Sequence, residues 1–215
     1  MVRVLGWLSA MALAIGLVMA FGVAPRETSQ GNVQRIMYVH PPLAWVAYVA
    51  FAVVAAASIV YLVRRRPAAD RLAHASAEVG VLFTGLAIAT GSIWGKPTWG
   101  TWWTWDARLT SVAILFVMYV GYLLLRGTIE DRERAARYCA VLGIVAALDM
   151  PLVHFSVYWW RTLHQPPSLM KPGGFSGSPA ILWPLLVNLA AFTLLYAYLV
   201  AKRARLLRAE RGALA

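Results

Sequence analysis

Residues 43–63 read LAWVAYVAFAVVAAASIVYLV, an unbroken apolar run without a single charge. A helix rises about 1.5 Å per residue, so a run of this length crosses the ~30 Å core of a bilayer, which takes ~17–25 residues. Five further runs of the same kind cover roughly residues 4–24, 79–95, 109–125, 138–157 and 180–201, and none carries Lys or Arg in its interior. They do not alternate apolar with polar residues as barrel strands do. Inside lipid the backbone must satisfy its own hydrogen bonds, so the runs predict six transmembrane helices: an all-α integral membrane protein. Residues 1–215 then read as one six-span membrane domain, without internal repeat or separate soluble domain. The first run exceeds the ~7–15 residues of a secretory signal core and is expected to stay as a span.

Composition agrees. Of 215 residues, 60% are apolar and 13% charged, with a mean hydropathy of +0.63. A soluble domain averages ~45–50% apolar and ~25% charged, so a soluble enzyme and a disordered chain are both excluded. With Cys139 as the only cysteine, an internal disulfide and a thiol-pair redox motif are excluded too. The net charge of +11 follows the spans. Fourteen of the twenty Lys and Arg fall at the N-terminus, in the second and fourth connections and in the C-terminal tail, such as Arg64-Arg65-Arg66 and Arg132 to Arg137. The other six, Arg26, Arg35, Lys96, Arg108, Arg161 and Lys171, sit in the remaining connections. By the positive-inside rule both termini are cytoplasmic and the first, third and fifth connections face outward. The charge therefore reads as orientation and lipid contact, with no nucleic-acid partner.

Tryptophan is distributed unevenly. Only Trp7 lies near the inner end, whereas Trp45, Trp94, Trp99, Trp102, Trp103, Trp105, Trp159, Trp160 and Trp183 lie at or near the outer end. A plain interfacial belt populates both sides; a large flat ligand on the outer face accounts for one. The densest segment is Trp99-Gly100-Thr101-Trp102-Trp103-Thr104-Trp105-Asp106-Ala107-Arg108. If Pro97 opens a short helix, Trp99, Trp102, Trp103 and Asp106 share one face as an aromatic platform with a carboxylate at its edge, while Trp105 and Arg108 turn elsewhere. An amphipathic anchoring helix would use the same residues.

Four histidines differ in setting. His74 follows a run of arginines and reads as surface. His154 lies within the fifth run and is expected to bond a neighbouring helix; Asp149, the only acid deep in a run, is read the same way, with a proton or ion site as its alternative. His40, in Tyr38-Val39-His40-Pro41-Pro42, and His164, in Trp159-Trp160-Arg161-Thr162-Leu163-His164-Gln165-Pro166-Pro167, both sit on the outer side beside a Pro pair that stiffens the chain. Imidazole is a common axial ligand of haem iron, and two imidazoles flanking a tryptophan platform can hold a haem from both faces. Zinc wants three or four close ligands, and His40, His164, Asp106 and Glu27 lack that spacing.

The tryptophan-rich segment, Tyr38-Val39-His40-Pro41 and Trp159 to Gln165 together resemble the WWD haem-handling proteins, and within them the CcmC family of haem exporter C proteins, over nearly the whole chain. The resemblance implies a bacterial inner-membrane protein of cytochrome c maturation. It implies haem b presented on a tryptophan-rich periplasmic loop between helices 3 and 4, with His40 and His164 as axial iron ligands. Trp99, Trp102, Trp103, Trp105, Asp106 and Arg108 would bind the haem. The haem would pass to the chaperone CcmE, beside the transporter subunits CcmA and CcmB and the small subunit CcmD. No residue is assigned as general acid or base. The alternatives are a b-type electron-transfer subunit, which would place paired histidines within spans, and a membrane carrier, for which Asp149-Met150-Pro151 and Pro184 with Asn188 are the only hints.

Overall fold

The computed structural model describes residues 2–166 and 178–212. Pro167 and Lys171, used above for the Pro pair and the charge distribution, lie outside the described residues. The elements are α1 (Val2–Val18) with a π-helical turn (Met19–Val23), a 3₁₀ turn (Val33–Tyr38), α2 (His40–Arg64), α3 (Pro67–Trp99), α4 (Ala107–Thr128), α5 (Arg132–Ala147), α6 (Asp149–Trp159) and α7 (Pro179–Gly212). Six helical stretches, α5 and α6 counting as one, are long and apolar enough to cross a membrane. The all-α reading and the number of spans therefore hold.

Local chemistry sets the boundaries. Pro41 and Pro42 occupy the first turn of α2, where their missing N–H groups cost nothing. The same helix stops at Arg65, whose φ of 51° is left-handed, and Pro67 opens α3. Asp131 accepts from the backbone N–H groups of Glu133 and Arg134 at the start of α5. The fifth span is broken at Leu148. Pro151 has no N–H to return to Ala147, so the helix is interrupted two to three residues before it.

The helices alternate in direction around α2, which packs against α3, α5 and α7. Small residues allow the close approach. A Cβ on Gly80 would fall 2.6 Å from Phe51, and Phe51 in turn stacks on Tyr119 with ring centroids 3.7 Å apart. The peripheral α1 leans on α7, where Asn188 Nδ2 donates to the carbonyls of Gly16 and Pro184, both at 2.8 Å. At the end of the bundle away from His40, Arg126 holds both carboxylate oxygens of Asp70 at 2.7 and 2.6 Å, and Glu78 takes His74 and Arg203. These pairs explain why α3 begins at Pro67, well before the apolar run at 79: its polar first turns are tied to α4 and α7. They also place His74 half-buried, with Nε2 3.2 Å from a Glu78 carboxylate oxygen, rather than on open surface.

Candidate functional site

His40 is the first residue of α2, and its imidazole is fixed from several directions. Nδ1 lies 3.0 Å from the Ala87 carbonyl and 3.2 Å from Thr90 Oγ1. A carbonyl only accepts, so Nδ1 carries the proton and donates, leaving Nε2 with a free lone pair. Behind the ring is Gly91, where a Cβ would come 2.8 Å from His40 Cε1. Trp94 packs edge-on at 5.9 Å. His164 lies beyond α6 in the segment 160–166. Its Nδ1 donates to the Gln165 carbonyl at 3.2 Å, so its Nε2 is likewise the free nitrogen. Trp99 meets its ring edge-on at 5.8 Å. Burial, with the Arg108 guanidinium alongside, holds this imidazole down at about 4, so it is neutral at ordinary pH.

The two imidazoles are neighbours, with ring centroids 6.4 Å apart and planes inclined by 38°. Two imidazoles sharing one metal through bonds of ~2 Å have centroids roughly 6 Å apart. A metal-bound ligand held from both sides thus fits the pair. Donation of the second ring nitrogen to a carbonyl is the usual way such a histidine is oriented.

A partly open cleft surrounds them. Trp99, Trp102, Trp103, Arg108, His40 and His164 all line it, with Gly91, Trp94, Tyr48 and Gln30. Its walls are mostly apolar and aromatic, suited to a large planar ligand.

Two predicted site residues are absent from the wall. Trp105 is 78% exposed and supports Trp103 from outside, with centroids 5.6 Å apart. Asp106 acts as a rivet. Oδ1 accepts the Leu109 N–H at 2.9 Å and caps α4, while Oδ2 accepts the Leu163 N–H at 3.1 Å, next to His164. The carboxylate therefore bonds two backbone amides and the Thr104 hydroxyl.

The short helix expected from Pro97 does not form. Proline's φ suits a helix, so α3 runs through Pro97 and ends at Gly100, whose φ of 79° is left-handed. Residues 101–106 are then non-helical, and the platform is built from a helix end plus an extended segment. Arg108 does not turn elsewhere, as the short helix would have required: it lines the cavity, with Nη1 donating to the Val153 carbonyl at 3.3 Å. Among the described residues His154 makes a ring contact with Phe155 but no hydrogen bond, and Asp149 Oδ2 has no hydrogen-bond partner, so neither bonds a neighbouring helix as expected. Trp94 was placed at the outer end but not in the site, and Gly91, Tyr48 and Gln30 were missed. The four-residue spacing of Ala87, Gly91 and Gly95 was an available signal, because it marks a face of α3 that something approaches closely.

A polytopic helical membrane protein with a ligand cavity at one end of its bundle is the class that this fold and site define. The family model described as heme exporter protein C matches residues 1–214. "Heme exporter protein C" of Bradyrhizobium diazoefficiens is 49% identical over 211 residues, 96% of this chain and 80% of the relative. The protein of the same description from Escherichia coli K12 is 41% identical over 197 residues, 92% of this chain and 79% of the relative. A "putative cytochrome c biosynthesis ccmC-like mitochondrial protein" of Arabidopsis thaliana is 39% identical over 201 residues, 94% and 75%. The chain belongs to the heme exporter protein C family, CcmC.

Proposed function

We propose that this chain serves haem export for cytochrome c biogenesis by holding haem b in the cavity between His40 and His164 and presenting it to a haem chaperone. The observation that carries the reading is the pair of neighbouring imidazoles, each with Nδ1 engaged by a carbonyl and Nε2 free. The haem is cargo and supplies the iron that the two imidazoles hold. Trp99, Trp102 and Trp103 bury its apolar faces, which stabilises binding by ~25 cal/mol per Å² removed from water. Arg108 supplies a charge-assisted donor for a carboxylate side chain of the ligand. Trp105 and Asp106 bind it indirectly, by backing Trp103 and tethering the His164 segment. Full coordination of the iron by two side chains keeps other ligands off it.

In this reading the cavity faces the periplasm of a bacterial inner membrane, both termini are cytoplasmic, the receiver is CcmE, and CcmA, CcmB and CcmD assemble with the chain. The excess of Lys and Arg at the opposite end of the bundle supports that orientation. The relatives' description as heme exporter protein C supports the cargo. Purified protein should show the absorption of six-coordinate low-spin haem. His40→Ala and His164→Ala should each abolish that signature; unchanged spectra in both would overturn the ligand assignment. Trp102→Ala with Trp103→Ala should weaken loading of the chaperone while leaving the chain inserted, and equal loading would reduce the segment to an anchor.

A further inference from the structure

The cavity wall beside His40 is completed by Trp94 and Gln30, neither an axial ligand nor part of the Trp99–Trp103 wall. Trp94 Nε1 donates to Gln30 Oε1 at 2.9 Å. An indole nitrogen has one hydrogen to give, so this bond fixes the ring's rotation about its long axis. The same indole meets the His40 imidazole at 75°, edge to face.

Gln30 is itself held on an unusually well-tied turn. The Glu27 carboxylate accepts from the backbone N–H groups of Ser29 and Gln30 and from the Ser29 and Thr28 hydroxyls. Gly31, at a left-handed φ of 61°, returns its N–H to the Glu27 carbonyl at 3.0 Å. Four hydrogen bonds on one carboxylate hold Glu27 ionised down to a pH of about 2. The turn is solvent-facing, so its order does not come from burial.

We infer that the Glu27–Gly31 turn is a positioning clip for the site: through Gln30 it sets Trp94, and through Trp94 it sets the plane of the His40 imidazole. Nδ1 of His40 is pinned by Ala87 and Thr90, but one pinned atom leaves the ring free to tilt about it. Gly91 limits that tilt at one edge and Trp94 limits it at the face. Removing the Gln30 acceptor releases Trp94, and the angle of 38° between the imidazole planes changes. The inference rests on the haem reading above and assigns Gln30 and Trp94 as positioning residues for it.

In ferric low-spin haem with two imidazoles, the spread of electron paramagnetic resonance g values follows the angle between the ring planes. The test is that spectrum for the full-length haem-loaded protein as wild type, Gln30→Leu, Gln30→Glu and Trp94→Phe. Gln30→Leu is one atom shorter and cannot accept, Gln30→Glu keeps both the length and the acceptor, and Trp94→Phe keeps a ring but cannot donate. The expected result is a shifted or broadened highest g value in Gln30→Leu and Trp94→Phe, with the wild-type value restored in Gln30→Glu. Haem loss in Gln30→Leu with recovery in Gln30→Glu carries the same meaning. Wild-type g values in both Gln30→Leu and Trp94→Phe would overturn the inference while leaving the haem reading intact, as would an equal shift in Gln30→Leu and Gln30→Glu. A wild type without any low-spin signal would overturn the haem reading, and the inference with it.

Discussion

Asp106 joins two functions in one carboxylate, and two substitutions separate them. Asp106→Ala removes the cap of α4, which costs roughly 0.5–2 kcal/mol, and also the tether to Leu163, an exposed hydrogen bond whose net contribution is about 1 kcal/mol. Asp106→Asn keeps the cap, because asparagine caps as well as aspartate. It has a single acceptor oxygen, however. With that oxygen on the Leu109 N–H, its amide N–H₂ meets the Leu163 N–H donor to donor, and the tether is lost. The segment carrying His164 then samples positions in which its imidazole does not face His40. A loss of about 1 kcal/mol corresponds to roughly a fivefold weakening, since 1.4 kcal/mol is tenfold. The assay is haem retention by absorbance titration, with thermal unfolding followed by circular dichroism in parallel. Asp106→Asn should unfold near the wild-type temperature yet retain haem roughly fivefold less well, while Asp106→Ala should fall in both. Asp106→Asn with wild-type retention, or with the same loss of stability as Asp106→Ala, would refute the reasoning.

Three other perturbations have definite outcomes. Gly91→Ala should leave bundle stability near wild type, since alanine favours a helix by ~1 kcal/mol, but should weaken haem binding, because the new Cβ falls 2.8 Å from His40 Cε1; a spectroscopic titration of haem binding checks it. His164 has a folded-state value near 4, depressed by burial and by Arg108. The unfolded chain therefore takes up a proton first as pH drops. Stability from the neutral ring is complete above about 6.5 and is lost as pH falls toward 4, so the melting temperature of the haem-free protein should decline over that window, and less steeply in His164→Gln. Asp70→Asn leaves the Arg126 guanidinium, 11% exposed, without its carboxylate partner and should destabilise by about 3–5 kcal/mol, seen as reduced membrane accumulation and a lower melting temperature.

Long apolar runs made the spans legible, because lipid leaves little choice but helix wherever such a run occurs. Their ends were less legible. Residues 67–78 are too polar to read as membrane, yet α3 includes them through ion pairs with α4 and α7 that only tertiary structure supplies. Pro151 was visible inside the fifth run, and the helix breaks at Leu148, three residues before it. In the site, His40 and His164 stood out by chemistry and by their shared level in the chain, and they do meet. The platform was misjudged in form because Pro97 was read as a start signal, whereas Gly100 decides where α3 stops. Trp94 and Gln30 could not be paired from sequence, since nothing local links the first connection to the end of the third span. Asp106 was identified as important, but its partner Leu163 contributes only a backbone amide, and any residue other than proline there would look the same.

His40 opens the second span and His164 follows the fifth, so the matched pair of imidazoles exists only when five spans have been threaded into the membrane. During synthesis the nascent chain passes through a long interval in which it displays one imidazole and no opposing partner. If the pair holds haem as proposed, a porphyrin encountered then would find half a clamp and leave quickly, and the order of insertion would postpone cargo capture until the bundle around the cavity is nearly whole.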